Sequence, residues 1–142
     1  MKISDIYKFD NKTKIKLPLY INKIKAGFPS PADDYIEKSL DLNSHLVKHP
    51  ASTFFLRVEG DSMINAGIQS GDILIVDKAI DAKDNKIIIA VFNGELTVKR
   101  LKILQGKYYL VPENPNYSPI EITENTDFHV WGVVTNVIHS LE

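Results

Sequence analysis

The sequence predicts a mainly β protein: a bent antiparallel core, a mobile N-terminal arm, and one or two short helices between them. Two observations carry that prediction. From Ser52 onward, runs rich in β-branched and aromatic residues recur at Phe54–Val58, Ile73–Val76, Ile87–Phe92, Glu95–Leu101, Tyr108–Val111 and Phe128–Ile138. Reversal signals separate them, with Asn93-Gly94 specifying a type I′ hairpin and Gln105-Gly106 a second tight turn. At 142 residues, 44% hydrophobic and 25% charged, the chain has the composition of an ordinary globular protein. The expected division is an arm over 1–26, a residual arm with short helices over 27–50, and a β-rich core over 51–142.

Along the chain, Met1 to Lys25 shows no sustained period. Lys14-Ile-Lys-Leu17 alternates and suits an edge strand, which Pro18 limits. Gly27-Phe-Pro-Ser-Pro31 breaks the backbone and then starts a helix. Ser30 is a cap, Pro31 suits the first helical position, and Asp33 and Asp34 fall at the positive end of the dipole. Ile36 and Leu40 share a face at i,i+4, so a short helix is expected over about 31–39. A second helical turn is expected from Asp41, carrying Leu42, Leu46 and Val47 until His49-Pro50 ends it. His45 and His49 are four apart, a metal-compatible spacing on a helix, but no third ligand shares that face. They are assigned to the surface or to caps, as are His129 and His139 to surface or core, and no metal or cofactor is expected.

Charge is unevenly divided. Residues 1–26 carry seven lysines and two aspartates, a net of +5; the remainder carries ten basic and sixteen acidic residues, a net of −6. The arm therefore either trails in solvent or rests on its own acidic body or on nucleic acid, with the acidic body favouring self-association. Such a body is poorly suited to binding phosphates, and the arm is too short for a helix-turn-helix, so sequence-specific DNA binding is not expected. There is no cysteine, no apolar run of membrane-spanning length and no secretory h-region, which together favour a cytoplasmic protein.

The chemistry concentrates in Phe54-Phe-Leu-Arg-Val-Glu-Gly-Asp-Ser-Met63. A strand breaks at Gly60-Asp61, and Ser62 is presented just past its end. A serine hydroxyl needs a base. Lys99 supplies one if it is neutral, which burial among apolar neighbours promotes. On a strand, period two places Glu95, Thr97, Lys99 and Leu101 on one face and Arg100 on the other, so Lys99 can be dry while Arg100 stays wet. Taken singly, Ser62 is an ordinary turn residue and Lys99 an ordinary strand lysine. Asp61 and Asp72 are assigned to turn geometry.

Gly60-Asp-Ser-Met63, Gly71-Asp-Ile-Leu-Ile75 and Thr97-Val-Lys-Arg-Leu101, in this order, resemble the self-cleaving serine–lysine peptidases of the LexA type. Ala26-Gly-Phe-Pro-Ser-Pro-Ala32, Tyr35, Asp41-Leu-Asn43 and His49-Pro50 narrow the resemblance to the UmuD-type branch. It runs from about Leu17 to Ile138 and implies the bent β core shared with signal peptidases. It implies Ser62 and Lys99 as the catalytic pair, with the backbone N–H groups of Asp61 and Ser62 as an oxyanion hole. It also implies cleavage of the chain's own Ala26–Gly27 bond, with Ile24 in an apolar subsite; many UmuD-type chains carry cysteine where Ala26 stands. The implied partners are a second copy in a homodimer, a RecA–single-stranded-DNA filament that stimulates cleavage, and a UmuC-type Y-family polymerase in translesion synthesis. The rival is a headless repressor core that acts as a non-enzymatic dimerisation module.

Overall fold

A computed structural model describes residues 1–10, 16–20 and 36–142. They divide into two units, Met1–Phe9 with His49–Glu142, and Asp10–Lys48. The larger unit is an eight-stranded sheet in the order β1-β4-β5-β10-β6-β7-β8-β9. Its strands are β1 (Lys2–Lys8), β4 (Thr53–Glu59), β5 (Ile73–Asp77), β6 (Ile87–Phe92), β7 (Glu95–Leu104), β8 (Lys107–Val111), β9 (Ile120–Ile122) and β10 (Phe128–Ile138). Their pairings are antiparallel, and Lys2 also pairs with Thr97, so β1 joins β7 and the run β1-β4-β5-β10-β6-β7 returns on itself. The expected mainly β, bent antiparallel core is what forms.

Two features bend the sheet. Asn93 and Gly94 both have positive φ (51° and 80°), as a type I′ turn requires, and they set the register Phe92↔Glu95 through Ile87↔Arg100. Strand β10 pairs with β6 over its first half and β5 over its second, with register shifts between Val130 and Gly132 and between Val134 and Asn136. Such bulges turn a strand from one partner to the next. Gly132 sits at the first of them, where an added Cβ would stand 2.6 Å from Val76 Cγ1.

Both faces of β6 and β7 are covered, which is why Ile87-Ile-Ile-Ala-Val91 reads as a continuous apolar run. Ile89 and Val98 join Leu56, Val58, Met63, Ile68, Leu74 and Val76 in one cluster. Ile88 and Leu101 join Ala90, Leu110 and Val133 in another. Lys99 pairs with Ile88 and lies two residues before Leu101, so it shares the face of the second cluster.

Three expectations change. Lys2–Lys8, which shows no clear period, is a strand, because it completes hydrogen bonding along the edge of β4 with Ile3 and Ile6 opposite Val58 and Leu56. The basic arm's charge does not hold it there: among the described residues the ion pair between β1 and the body is Asp5 with Arg57, the acid being on the arm. Ile36–Asp41 is strand β3, paired antiparallel with β2 (Lys16–Tyr20), rather than the end of a helix over 31–39. A spacing of four satisfies a period of two as well as a helix, and the partner strand decides between them. The 3₁₀ turn Ile64–Ala66 and β9 were not legible as elements. The second helical segment forms as expected, as α1 (Leu42–Leu46), capped by Asp41 accepting from the Asn43 N–H. It ends before His49, so His45 and His49 do not share a helix; His49 Nδ1 instead meets Asp77, which also accepts from Ser52 Oγ and the Ala79 N–H.

Gly132→Ala tests the bend. Its methyl has to displace a buried Val76 side chain, so the unfolding free energy should fall by about 1–3 kcal/mol, read from denaturant midpoints. An unchanged midpoint would show that β10 has slack at its bulge.

Candidate active site

Gly60 leaves β4 with φ of 103°, a left-handed conformation that suits glycine, and this turns the chain so that Ser62 faces inward. Ser62 is 2% exposed, deeper than the rim position its sequence context suggests, and Lys99 is 8% exposed in mid-β7. Strand and turn bring them together across 37 residues, with Lys99 Nζ 3.4 Å from Ser62 Oγ. Adjacent Arg100 points the other way, as period two requires, and binds Glu113 Oε1 through Nε and the Asn85 carbonyl through its guanidinium.

The amine is held by more than the serine. Nζ donates to the Val98 carbonyl at 3.1 Å and to Thr97 Oγ1 at 3.3 Å. A neutral primary amine has two N–H bonds and one lone pair. A neutral amine can donate to these two acceptors and still offer its lone pair to the Ser62 proton. Burial pushes the Lys99 pKa below its ordinary value, opposed in part by a hydrogen bond to the chain's first amine. The Thr97 contact to this amine was not expected, although its place on the Lys99 face, two residues earlier, was a usable signal.

Met1 occupies the same place. Its amine lies 2.7 Å from Ser62 Oγ and 3.5 Å from Thr97 Oγ1, while its carbonyl accepts from Thr97 Oγ1 and the Val98 N–H. Burial first, then Lys99, lowers the amine pKa from 8.0 to about 5, so it is neutral near pH 7. Two amines, both with lowered pKa, thus converge on one hydroxyl.

The turn itself is tied to the segment after β8. Asn114 Nδ2 donates to the Asp61 carbonyl at 2.9 Å, the Glu113 N–H to the Ser62 carbonyl at 2.8 Å, and Tyr117 to Asp61 Oδ1. Asp72 accepts from the Gln69 N–H and from His139, so it serves its turn as expected, and His129 lies in β10 away from these contacts. Among the described residues no group of three or more potential metal ligands forms, and no helix is long and apolar enough to cross a membrane. Ile24, Ala26 and Gly27 lie outside the described residues.

The cost of keeping Lys99 dry is measurable. The unfolded chain binds a proton at Lys99 up to its ordinary pKa near 10.4, whereas the folded chain releases it earlier, so this residue makes stability rise with pH across that window. Lys99→Met should therefore unfold at a higher temperature than the parent near pH 7, with the gap shrinking as pH approaches 10. A gap independent of pH would show that Lys99 keeps its ordinary pKa in the folded protein.

Comparison with known proteins places the chain in a family. A family model described as Peptidase S24-like matches residues 18–135. Protein ImpA of Salmonella typhimurium is 48% identical over 124 residues, covering 86% of this chain and 83% of its own. Protein MucA of Escherichia coli is 40% identical over 143 residues, covering 99% and 94%. The LexA repressor of Bordetella parapertussis is 35% identical over 127 residues, covering 89% of this chain but 58% of the repressor. Relatives matched nearly end to end do not favour the reading as a headless repressor core. With its Gly60-Asp-Ser-Met63 turn and its Thr97-Val-Lys99 strand in contact, the chain belongs to the S24-like peptidase family.

Proposed function

We propose that the chain is a self-cleaving serine peptidase of the UmuD type, with Ser62 as nucleophile, Lys99 as general base and its own Ala26–Gly27 bond as substrate. One observation carries this reading: a buried lysine amine lies within 3.4 Å of a buried serine hydroxyl 37 residues away. Ser62 Oγ attacks the Ala26 carbonyl carbon and passes its proton to Lys99 Nζ. The oxyanion that forms on Ala26 is met by the N–H groups of Asp61 and Ser62. The Lys99 ammonium then protonates the Gly27 nitrogen, the C–N bond breaks, and an ester joins Ala26 to Ser62. Water attacks the ester and gives a proton to Lys99, which passes it to Ser62 Oγ as the C–O bond breaks, releasing residues 1–26 from 27–142.

Met1 holds the hydroxyl in the conformation described, so it has to withdraw before the Ala26 carbonyl can approach. A RecA–single-stranded-DNA filament that favours the cleavage-ready arrangement would act by shifting populations rather than by adding chemistry. The processed cytoplasmic homodimer would then serve as accessory subunit of a UmuC-type Y-family polymerase in SOS mutagenesis. These partners rest on the UmuD-type resemblance and on the near end-to-end match to ImpA and MucA.

The test is mass spectrometry of the full-length protein incubated without filament between about pH 7 and 10. The species beginning at Gly27 should appear about tenfold faster per pH unit until the Lys99 pKa is passed. Ser62→Ala and Lys99→Ala should yield none while melting as folded proteins. Conversion by Ser62→Ala, or a flat pH profile in the parent, would sink the mechanism.

A further inference from the structure

We infer that Asn114 is a positioning residue for the peptide cleavage: it aims the Ser62 N–H at the developing oxyanion. This inference rests on the peptidase reading above and names a residue outside the catalytic pair. Asn114 is 8% exposed, in the segment between β8 and β9. Its amide donates to the Asp61 carbonyl at 2.9 Å, and its Oδ1 accepts from the Asn116 N–H at 2.9 Å. Both ends of the side-chain amide are thereby committed, and its orientation is fixed.

The bond matters because of what the Asp61 carbonyl is joined to. The Asp61–Ser62 peptide is planar and trans, so its C=O and its N–H point in opposite directions as one rigid unit. The carbonyl also accepts from the Ile64 N–H at 3.3 Å, and Asn114 is the shorter of the two bonds that fix it and so fix the Ser62 N–H on the other side. Among the described residues no backbone carbonyl receives that N–H or the Asp61 N–H. The following peptide is held too, since the Ser62 carbonyl accepts from the Glu113 N–H at 2.8 Å. The Glu113 carbonyl in turn takes the Asn65 N–H at 2.9 Å.

The same segment reaches the base. Glu113 Oε1 binds Arg100 Nε, next along β7 from Lys99. One short stretch, Glu113-Asn114, therefore grips the nucleophile turn by two carbonyls and the base strand by one guanidinium. Lys99 itself is not touched by Asn114, so Asn114 should govern the oxyanion donor without altering the titration of the base. An oxyanion-hole donor is a large contributor to acyl-transfer rates, and its effect depends on its aim.

Asn114→Leu removes the donor without adding charge: it is close in size and carries no polar group. In full-length protein, the plateau rate of self-conversion should fall by about tenfold to a hundredfold. The pH midpoint and the melting temperature should stay at parental values. Labelling of Ser62 by a small alkyl fluorophosphonate, which needs no docked arm, should slow by a similar factor, because its phosphoryl oxygen uses the same donor. Asn114→Ala is the second variant and should behave alike. An unchanged plateau in either folded variant, or a fall accompanied by a shifted pH midpoint, would overturn the inference. So would normal labelling with slowed conversion, which would assign Asn114 to arm docking, or failure of both variants to fold, which would assign it to stability. Absence of conversion in the parent, or conversion in Ser62→Ala, would instead defeat the peptidase reading on which this rests.

Discussion

The structure turns on a lysine kept out of water. A buried ammonium is costly, so burial lowers the Lys99 pKa and favours the neutral amine more than water would. The Val98 carbonyl and the Thr97 hydroxyl accept from the amine, and Ser62 Oγ lies 3.4 Å from it. This requires a strand buried on both faces, since Val98 and Lys99 are adjacent, point opposite ways and are both inaccessible. The double covering of β6 and β7 by two apolar clusters is therefore the condition for the chemistry as well as for stability.

Backbone pairing does the remaining placement. Strand β1 binds β4 along its length and meets β7 at one residue, which delivers Met1 to the hydroxyl of Ser62. The nucleophile turn is gripped from the opposite side by main-chain and side-chain bonds from Glu113 and Asn114. A serine in a glycine-led turn would otherwise be loosely oriented. Here the peptide units on either side of it each have a carbonyl anchored, so the local geometry is set by the tertiary structure and not by the turn alone.

Strand positions, the hairpin at Asn93-Gly94 and the facing of Lys99 against Arg100 were legible in the sequence, because each depends on local chemistry: period two, β-branched content, and positive φ at Asn-Gly. The Ser62–Lys99 pair was legible only through motif resemblance, since spacing alone does not distinguish a catalytic lysine from a strand lysine. What the sequence could not decide were features set by a distant partner. Lys2–Lys8 became a strand because β4 offered an unpaired edge, and Ile36–Asp41 because β2 did, where the i,i+4 pair Ile36 and Leu40 was equally compatible with a helix. The Met1 amine at the nucleophile and the Asn114 anchor join residues 53 or more apart, and the depth of Ser62 is set where such segments meet. A one-dimensional pattern records which face a residue takes, whereas the distance between two faces is fixed only when the sheet closes.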